Sequence, residues 1–352
     1  MQPYLRQEFG NPSSDHPFGH RARAAVERAR QQVAAFLGCN SDEVIFTSGG
    51  TEANNLAIRG AAEAVGGQRH VLTTAIEHPA TAQPCAWLAR QGWRVTYGTV
   101  DEKGVTRLDE MQSALSTGVS LVTVMHANNE TGVVQPVAEV ARLAHGAGAV
   151  MHTDAAQSVG KIPVDVHDLG IDLLSLAGHK VYGPKGIGAL YVRRDTNLSP
   201  FMRGASHERG LRPGTENVAA IAGLGAALER VQFDFESTAT RLRELRDELW
   251  NRLRAGVPGV VLNGHPDRRL PNTLNVRFPG TSARALLRRT PEVAASAGAA
   301  CHSGQEQPSG VLTAMGIAPD EAIGSIRLTL GRTTTPDDIA RAADALVRAW
   351  MR

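Results

Sequence analysis

Two residues of this 352-residue chain have the types and spacing that suit chemistry on a carbonyl cofactor. Lys180 stands between the apolar stretches of "DLLSLAGHKVYGPKGIGALYV", and Asp154 ends "AVMHTD" 26 residues earlier (180 − 154). Because a lysine is costly to bury, it either reaches water or is held in place for its chemistry. A Schiff-base lysine and a carboxylate that pairs with a pyridinium nitrogen are the minimum that pyridoxal phosphate chemistry requires. A structural pair at two strand ends fits these two residues equally well.

Further polar residues follow other apolar stretches. "FTSGGTEANN" is typical of a strand, a glycine turn and a helix start, where the backbone N–H groups near Gly50 and Thr51 suit a phosphate. "AIEHPA" carries His78, whose ring could stack on a flat cofactor and transfer protons. "HANNETG" and "DAAQSVGK" supply the amides of Asn129 and Gln157, and Gln157 could bond the phenolic oxygen of such a cofactor. Each feature alone also fits an ordinary helix cap or a structural role.

The elements that must position these residues alternate between strands and helices. From about residue 20 to 195 the pattern predicts an α/β fold with a mainly parallel sheet covered on both faces. Ligands of such sheets bind at the carboxyl ends of the strands, where the polar residues above stand. Near residue 235 the pattern changes to a long charged helix and a smaller α+β region. We predict a large cofactor-binding domain over 10–235 and a small C-terminal domain over 236–352, with residues 1–9 packing near the latter.

Composition excludes several other classes of protein. A hydrophobic content of 42% and a net charge of +2 are typical of soluble globular proteins, and no window is apolar enough for a transmembrane helix. The N-terminus lacks an apolar signal-peptide core. Three cysteines without metal-ligand spacing favour a reducing cytoplasm and no metal site. No basic run interleaved with aromatics indicates direct nucleic-acid binding, so we expect a cytoplasmic enzyme with neither nucleic-acid nor membrane contacts.

A longer set of motifs resembles one family over nearly the whole chain. In order, they are "FTSGGTEANNLAI", "EHPA", "NNETGVVQPV", "HTDAAQSVGKIPVDV", "GHKVYGPKGIGALYVRR", "HERGLRPGTENV", "PNTLNVRF", "SAGAACHSG" and "SIRLTLGR". They resemble the NifS/IscS cysteine desulfurases, which are related to the class V aminotransferases. The resemblance implies a fold-type I transferase that is a homodimer, uses pyridoxal 5′-phosphate, converts L-cysteine to L-alanine and passes sulfur to an acceptor protein.

The same resemblance implies a role for each candidate residue. Lys180 carries the cofactor, Asp154 pairs with its ring nitrogen, and His78 stacks on the ring and transfers protons. Arg327 of "SIRLTLG" clamps the substrate carboxylate, for which a planar bidentate donor is well suited, with Asn129 beside it. The full cofactor-binding set that it implies is Lys180, Asp154, Gln157, Asn129, His78, Thr51, Gly50, His179 and Thr215 of the partner subunit.

Cys301 decides which reaction of this family is expected. It lies among glycines and small residues in "SAGAACHSGQEQPSG", a setting that favours an exposed thiol as readily as a structural one. The resemblance implies that its thiolate takes the substrate sulfur as a persulfide. Cys39 and Cys85 fit buried, unreactive cysteines.

The chain departs from the family pattern in three places. Ala177 stands where the family usually has a serine whose hydroxyl contacts the phosphate. We therefore expect phosphate binding that is weaker or that uses a different set of hydrogen-bond donors. The sequence starts after the "YLDNAATT"-like strand of the family and stops soon after "ALVRAWMR", without the tail that housekeeping members use on their scaffold. "SAGAACHSG" also resembles the desulfurases of DNA phosphorothioate modification.

Two alternative functions remain open at this point. One is a class V aminotransferase or a selenocysteine or C–S lyase that does not use Cys301. The other is a catalytically degraded paralogue that only binds partner proteins.

Overall fold

The structure, a computed structural model, describes residues 1–297 and 308–352 and the backbone of the short strands at 301–302 and 305–306. Contacts group these residues into two compact units. Unit 1 comprises Met1–Gly98, Leu108–His126 and Pro136–Asp234. Unit 2 comprises Thr99–Arg107, Ala127–Gln135 and the described residues from Phe235 to Arg352.

Unit 1, every residue of which is described, contains a seven-stranded sheet in the order β1-β7-β6-β5-β4-β2-β3. Its strands are β1 (Val44–Thr47), β2 (His70–Thr74), β3 (Arg94–Gly98), β4 (Leu121–Thr123), β5 (Val150–Asp154), β6 (Leu173–Ala177) and β7 (Gly188–Val192). The pairs among β2 to β6 are parallel, and β7 runs antiparallel to both β6 and β1. The mainly parallel sheet predicted from the sequence is therefore confirmed.

The helices of unit 1 cover most strands of this sheet. They are α1 (Gln2–Arg6), α2 (Pro17–Leu37), α3 (Gly50–Ala64), α4 (Pro79–Arg90), α5 (Leu108–Leu115), α6 (Val137–Gly146) and α7 (Val218–Phe233). Every residue of β2 and β6 is buried, which explains the mainly apolar sequence LLSLA of β6. Leu56 and Ile58 of α3 share one apolar cluster with Leu121 and Leu173 of the sheet, so α3 is held against the strands that carry the candidate residues.

Unit 2 contains an antiparallel sheet and the remaining helices. The strands are β8 (Val261–Leu262), β9 (Thr273–Arg277), β10 (Ser296–Ala297), β11 (Cys301–His302), β12 (Gln305–Glu306) and β13 (Ser325–Thr329). The helices are α8 (Phe235–Gly256), α9 (Ala283–Arg288), α10 (Gly310–Ala314), α11 (Pro319–Ala322) and α12 (Pro336–Trp350). The sheet order among described residues is β10-β13-β9-β8, and Leu253, Val276, Ile326 and Leu346 lie in its apolar core.

The domain assignment made from the sequence stays a prediction, and the contacts group three segments differently from it. Residues 1–9 belong to unit 1, where α1 packs on α7. Segments 99–107 and 127–135 belong to unit 2, although both interrupt the chain of unit 1. No helix among the described residues combines the length and the hydropathy needed to cross a membrane.

Candidate active site

Lys180 and Asp154 lie at the carboxyl ends of neighbouring parallel strands. Asp154 is the last residue of β5 and pairs in register with Ser175 of β6. A 3-10 turn, Gly178–Val181, follows β6 directly and carries Lys180. Asp154 is only 7% exposed, and burial raises its pKa, while the charges of His78 and Lys180 act in the opposite direction. The structure thus brings these three predicted residues within electrostatic range of one another.

The Asp154 carboxylate is held by two hydrogen bonds. Its Oδ1 accepts from the backbone N–H of Ala156 at 2.9 Å, and its Oδ2 accepts from Nδ2 of Asn54 at 2.7 Å. Both bonds lower its pKa and so favour the ionised form. Asn54 is buried, and its Oδ1 has no partner among the described residues. Asn54 was not among the residues predicted from the sequence, although it follows Thr51 by three residues and so lies on the same side of α3.

His78 is oriented by the start of a helix. It is the N-cap of α4, and its Nδ1 accepts from the backbone N–H of Ala80 at 3.1 Å. Burial lowers the pKa of His78, the charge of Asp154 opposes this shift, and the charge of Lys180 adds to it. Because Nδ1 is an acceptor, the proton of the neutral ring lies on Nε2. His78 therefore presents an N–H donor at the same group of strand ends.

The glycine turn after β1 leaves the first amides of α3 without a side-chain cap. The N-cap is Gly49, at a φ of 150°, where a side chain would be strained. Glu52 stabilises the turn from within, since it accepts from the Ser48 N–H at 2.8 Å and from Arg212 Nε at 2.9 Å. The backbone N–H groups at Gly50 and exposed Thr51 are thus available to an anion.

Two further predicted phosphate ligands are exposed in unit 1. His179 precedes Lys180 in the 3-10 turn, and its pKa is lowered by burial and by the charges of nearby lysines. Thr215 lies in a loop that is closed where His207 Nδ1 accepts from the Gly214 N–H at 3.2 Å. Both positions are accessible to a ligand or to another chain.

The loop that carries Thr215 is anchored upstream by a buried ion pair. Glu208 accepts from Arg30 at 2.7 and 2.9 Å and from the Phe46 N–H at 2.7 Å. Glu208 and Arg209 are left-handed at φ values of 44° and 59°, a conformation that costs energy for residues other than glycine. The ion pair therefore holds a strained turn at the base of the loop.

The two predicted substrate-binding residues lie together in unit 2. Arg327 of β13 donates from Nη1 to the backbone oxygen of Asn129 at 3.0 Å. Its register partner Asn275 donates to the backbone oxygen of Glu130 at 3.0 Å, so adjacent strands hold the segment that carries Asn129. The contact with Asn129 uses one of the five N–H donors of the guanidinium.

The loop after β5 carries one predicted residue and one that sequence reasoning missed. Gln157 is partly exposed, three residues after Asp154. Lys161 donates from Nζ to the backbone oxygen of Lys180 at 3.0 Å and to that of Val159 at 3.5 Å. Only its position seven residues after Asp154 in "DAAQSVGK" could have pointed to it.

The cysteines divide as follows. Cys301 begins β11, and its side chain lies outside the part of the chain that the structure describes. Cys39 is half-buried and Cys85 is buried, and burial raises the pKa of each thiol to about 12. Neither is a nucleophile near neutral pH. Among the described residues, no group of three acidic, histidine or cysteine side chains could hold a metal ion.

Comparison with known proteins identifies the family. The aminotransferase class-V family matches residues 1–342. The chain belongs to this family. It is 44% identical to cysteine desulfurase IscS of Dictyoglomus turgidum, covering 99% of this chain and 89% of that one. It is 46% identical to cysteine desulfurase NifS of Azotobacter vinelandii, covering 97% and 86%. A solved NifS-like protein superimposes with a TM-score of 0.91 at 33% identity, covering 99% and 93%.

These comparisons confirm the resemblance to the NifS/IscS cysteine desulfurases and the fold-type I architecture. The cofactor of the family is pyridoxal phosphate, and the residues described above fit it. A buried, hydrogen-bonded carboxylate suits a protonated ring nitrogen, and the uncapped amides of α3 suit a phosphate. The residues between these two groups are small. A Cβ added to Gly50 would lie 3.2 Å from the Cβ of Ala177, which is closer than an ordinary contact, so a larger side chain at Gly50 would crowd this position.

Proposed function

We propose that this chain is a pyridoxal phosphate-dependent cysteine desulfurase that converts L-cysteine to L-alanine. The observation that carries the proposal is the electrostatic coupling of Lys180, Asp154 and His78, which stand at the carboxyl ends of parallel strands of one sheet. The 44–46% identity to named cysteine desulfurases supports L-cysteine as the substrate. The retained Cys301 supports sulfur transfer over the reactions of other class V enzymes.

The chain's own residues bind and orient the cofactor. Lys180 forms the covalent bond to it, and Asp154 pairs with the ring nitrogen through a carboxylate that Asn54 and Ala156 hold in place by hydrogen bonds. His78 stacks on the ring. Further contacts come from Asn129 and Gln157 to the ring substituents and from Gly50, Thr51, His179 and Thr215 of the partner subunit to the phosphate.

Protons move at two side chains. When bound, pyridoxal phosphate draws electrons from the substrate α-carbon and so weakens the carbon–sulfur bond. The Lys180 amine removes and returns a proton at that carbon, and His78 donates from Nε2. Arg327 binds the substrate carboxylate through two parallel N–H donors, with Asn129 beside it.

Sulfur leaves the substrate on Cys301. The Cys301 thiolate attacks the substrate sulfur, the carbon–sulfur bond breaks, and the carbon takes a proton to give alanine. L-cysteine and one thiol thus become alanine and one persulfide, so no external oxidant or reductant is needed. The glycines around Cys301 permit the loop to carry the persulfide from the cofactor to an acceptor protein.

The remaining proposals concern the surroundings of the enzyme. We place it in the cytoplasm as a homodimer that passes sulfur to an acceptor protein, without direct nucleic-acid or membrane contact. Housekeeping iron–sulfur assembly and DNA phosphorothioate modification are both compatible with this chemistry.

A single assay tests the central reaction. Purified protein with pyridoxal phosphate and L-cysteine is expected to yield alanine and, by mass spectrometry, a persulfide on Cys301. Cys301→Ala is expected to lose the persulfide and nearly all alanine formation, with Cys85→Ala as the matched control. Full alanine formation by Cys301→Ala would instead indicate a lyase. A wild-type protein that binds no cofactor would indicate a binding paralogue.

A further inference from the structure

Lys161 is a partly buried lysine with no acidic partner in the part of the chain described. It lies in the loop after β5, and its two hydrogen bonds go to backbone oxygens, those of Val159 and Lys180. No acidic side chain contributes to its electrostatics, and the neighbouring charge that acts on it is that of Lys180. Since cations inside proteins are normally paired, an unpaired one needs a reason to be there.

The contact links the two elements that carry the candidate cofactor residues. Lys161 belongs to the segment that begins at Asp154 and includes Gln157, and its 3.0 Å bond ends on the main chain of Lys180 itself. The 3-10 turn Gly178–Val181 spans only four residues, so few backbone bonds hold it internally. The ammonium of Lys161 therefore joins the loop after β5 to the 3-10 turn after β6.

The charges of Lys161 and Lys180 also act on each other. Burial, and then the charge of Lys180, lowers the pKa of Lys161 to about 8. Electrostatic coupling is mutual, so the Lys161 cation disfavours the protonated form of Lys180 in turn. An adjacent cation is one of the ways in which enzymes activate an amine nucleophile.

Other charged groups also act on Lys180, and the effect of Lys161 adds to theirs. Asp154 at the end of β5 favours the charged amine, and it is held by Asn54 and Ala156. His78 at the start of α4 is predominantly neutral at pH 7, because burial lowers its pKa. His179 shares the turn, and burial and the lysine charges lower its pKa as well. Among these groups, Lys161 is the lysine whose positive charge repels that of Lys180 and so disfavours its protonated form.

We propose that Lys161 is a positioning residue that holds the Lys180 turn and uses its charge to keep more of the Lys180 amine uncharged. The inference rests on the proposed function of Lys180 as the lysine that binds the cofactor. In that step the uncharged amine attacks the aldehyde carbon, a carbon–nitrogen double bond replaces the carbon–oxygen one, and water leaves. A protonated amine has no lone pair for this attack, so the charge of Lys161 sets the pH at which the cofactor is captured.

The test measures capture of pyridoxal phosphate by cofactor-free enzyme as a function of pH. Binding is followed by the absorbance of the lysine-bound cofactor from about pH 6 to about pH 11, a range that includes the ordinary pKa values of histidine and lysine. Lys161→Met is expected to move the midpoint of the rate profile upward and to slow capture at pH 7 by about three- to tenfold. The difference from wild type is expected to vanish at the alkaline end, where Lys161 has lost its charge in the wild-type protein.

Three further variants make the result decisive. Lys161→Arg keeps the charge and is expected to keep the wild-type midpoint. If Lys161→Met does not fold, Lys161→Gln is measured in its place. Lys185→Met removes an exposed lysine close in sequence to Lys180 and is expected to leave the midpoint in place. An unchanged midpoint in Lys161→Met and Lys161→Gln overturns the inference, even if capture slows equally at every pH.

The same preparation separates this inference from the one on which it rests. Borohydride reduction followed by peptide mass spectrometry is expected to find the cofactor on Lys180, and none on Lys180→Ala. Cofactor trapped on another lysine would contradict the proposal that Lys180 binds the cofactor. Cofactor on Lys180 with an unmoved Lys161→Met midpoint would overturn only the role of Lys161.

Discussion

At the scale of single residues, the proposed chemistry depends on how the Asp154 carboxylate is held. Burial alone would favour the neutral acid, because a carboxylate loses its hydration. Two N–H donors, from Asn54 and Ala156, replace part of that hydration. Asn54 is itself fully enclosed, so its donor is fixed rather than shared with water. The Asn54 bond therefore offsets part of the effect of burial, so the pKa of Asp154 depends on α3 as well as on β5.

Ala177 gives a prediction at the same scale. It is 4% exposed and faces the glycine turn, with its Cβ 3.2 Å from where a Cβ on Gly50 would lie. Ala177→Ser would add a hydroxyl donor beside the proposed phosphate site. One neutral hydrogen bond contributes about 0.5–1.5 kcal/mol, so the dissociation constant for pyridoxal phosphate is expected to fall about three- to tenfold. Equilibrium titration of cofactor-free protein measures it.

Ala177→Val is the control for that measurement, because it adds volume without a donor and is expected to weaken cofactor binding. If Ala177→Ser binds the cofactor no more tightly than wild type does, the phosphate site does not lack a hydrogen-bond donor at this position.

The sequence predicts those residues whose chemistry shows in local spacing. Lys180, Asp154 and His78 each stand at or just after the end of a strand, and the carboxyl ends of parallel strands meet at one edge of a sheet. Asn54 and Lys161 could not be predicted in this way. Asn54 acts across from a helix onto a strand, and Lys161 bonds a backbone atom 19 residues away, so neither contact leaves a pattern in the local sequence.

At the scale of elements, α3 connects the proposed phosphate and ring sites. Its first turn follows β1, and Asn54 reaches Asp154 from its second turn. Glu52 holds the start of the helix by accepting from the Ser48 N–H and from Arg212 Nε. Burial opposes the ionised form of Glu52, but these bonds outweigh it and lower its pKa. The start of α3 is thus fixed by the Glu52 carboxylate in its ionised form, which accepts both hydrogen bonds.

Glu52→Gln tests this arrangement. Glutamine offers one acceptor oxygen where Ser48 and Arg212 together need two, so one donor loses its partner. We expect the affinity for pyridoxal phosphate to fall about three- to tenfold and the melting temperature of the cofactor-free protein to decrease. Glu63→Gln, on the same helix with an exposed ion pair to Arg203, is expected to change neither. Equal cofactor affinity for Glu52→Gln and wild type would exclude a role of the helix start in phosphate binding.

At the scale of the whole molecule, the sequence predicts the sheet better than the boundaries of the units. Alternating strands and helices indicate a parallel sheet because each crossover must return to the same edge. Segments 99–107 and 127–135 interrupt that alternation and group with unit 2. Their partners are far along the chain, as with Asn129 and Arg327, so local patterns assign them to the surrounding residues.

Two groups buried in unit 1 give the whole chain opposite pH dependences. Burial raises the pKa of Glu77 to about 8, although Thr74 and the Met125 N–H bond the carboxylate. The folded state therefore keeps a proton that the unfolded chain loses above its ordinary pKa of about 4.3, and stability falls as pH rises toward 8. Burial lowers the pKa of His152 to about 3 between Thr123 and Ser175. Its contribution is complete above about pH 6.5 and is lost as pH falls toward 3.

The two substitutions Glu77→Gln and His152→Gln separate these effects. Relative to wild type, Glu77→Gln is expected to gain stability as pH rises from about 6 to about 8, because it has no proton to lose. His152→Gln is expected to be less stable at pH 7, because it disturbs the bonds to Thr123 and Ser175, and to lose less stability on acidification below about pH 6.5. Each difference amounts to about 1 kcal/mol per pH unit, measurable by urea unfolding of cofactor-free protein at several pH values. Parallel pH profiles for wild type and either variant would show that the group in question titrates alike in the folded and unfolded chain.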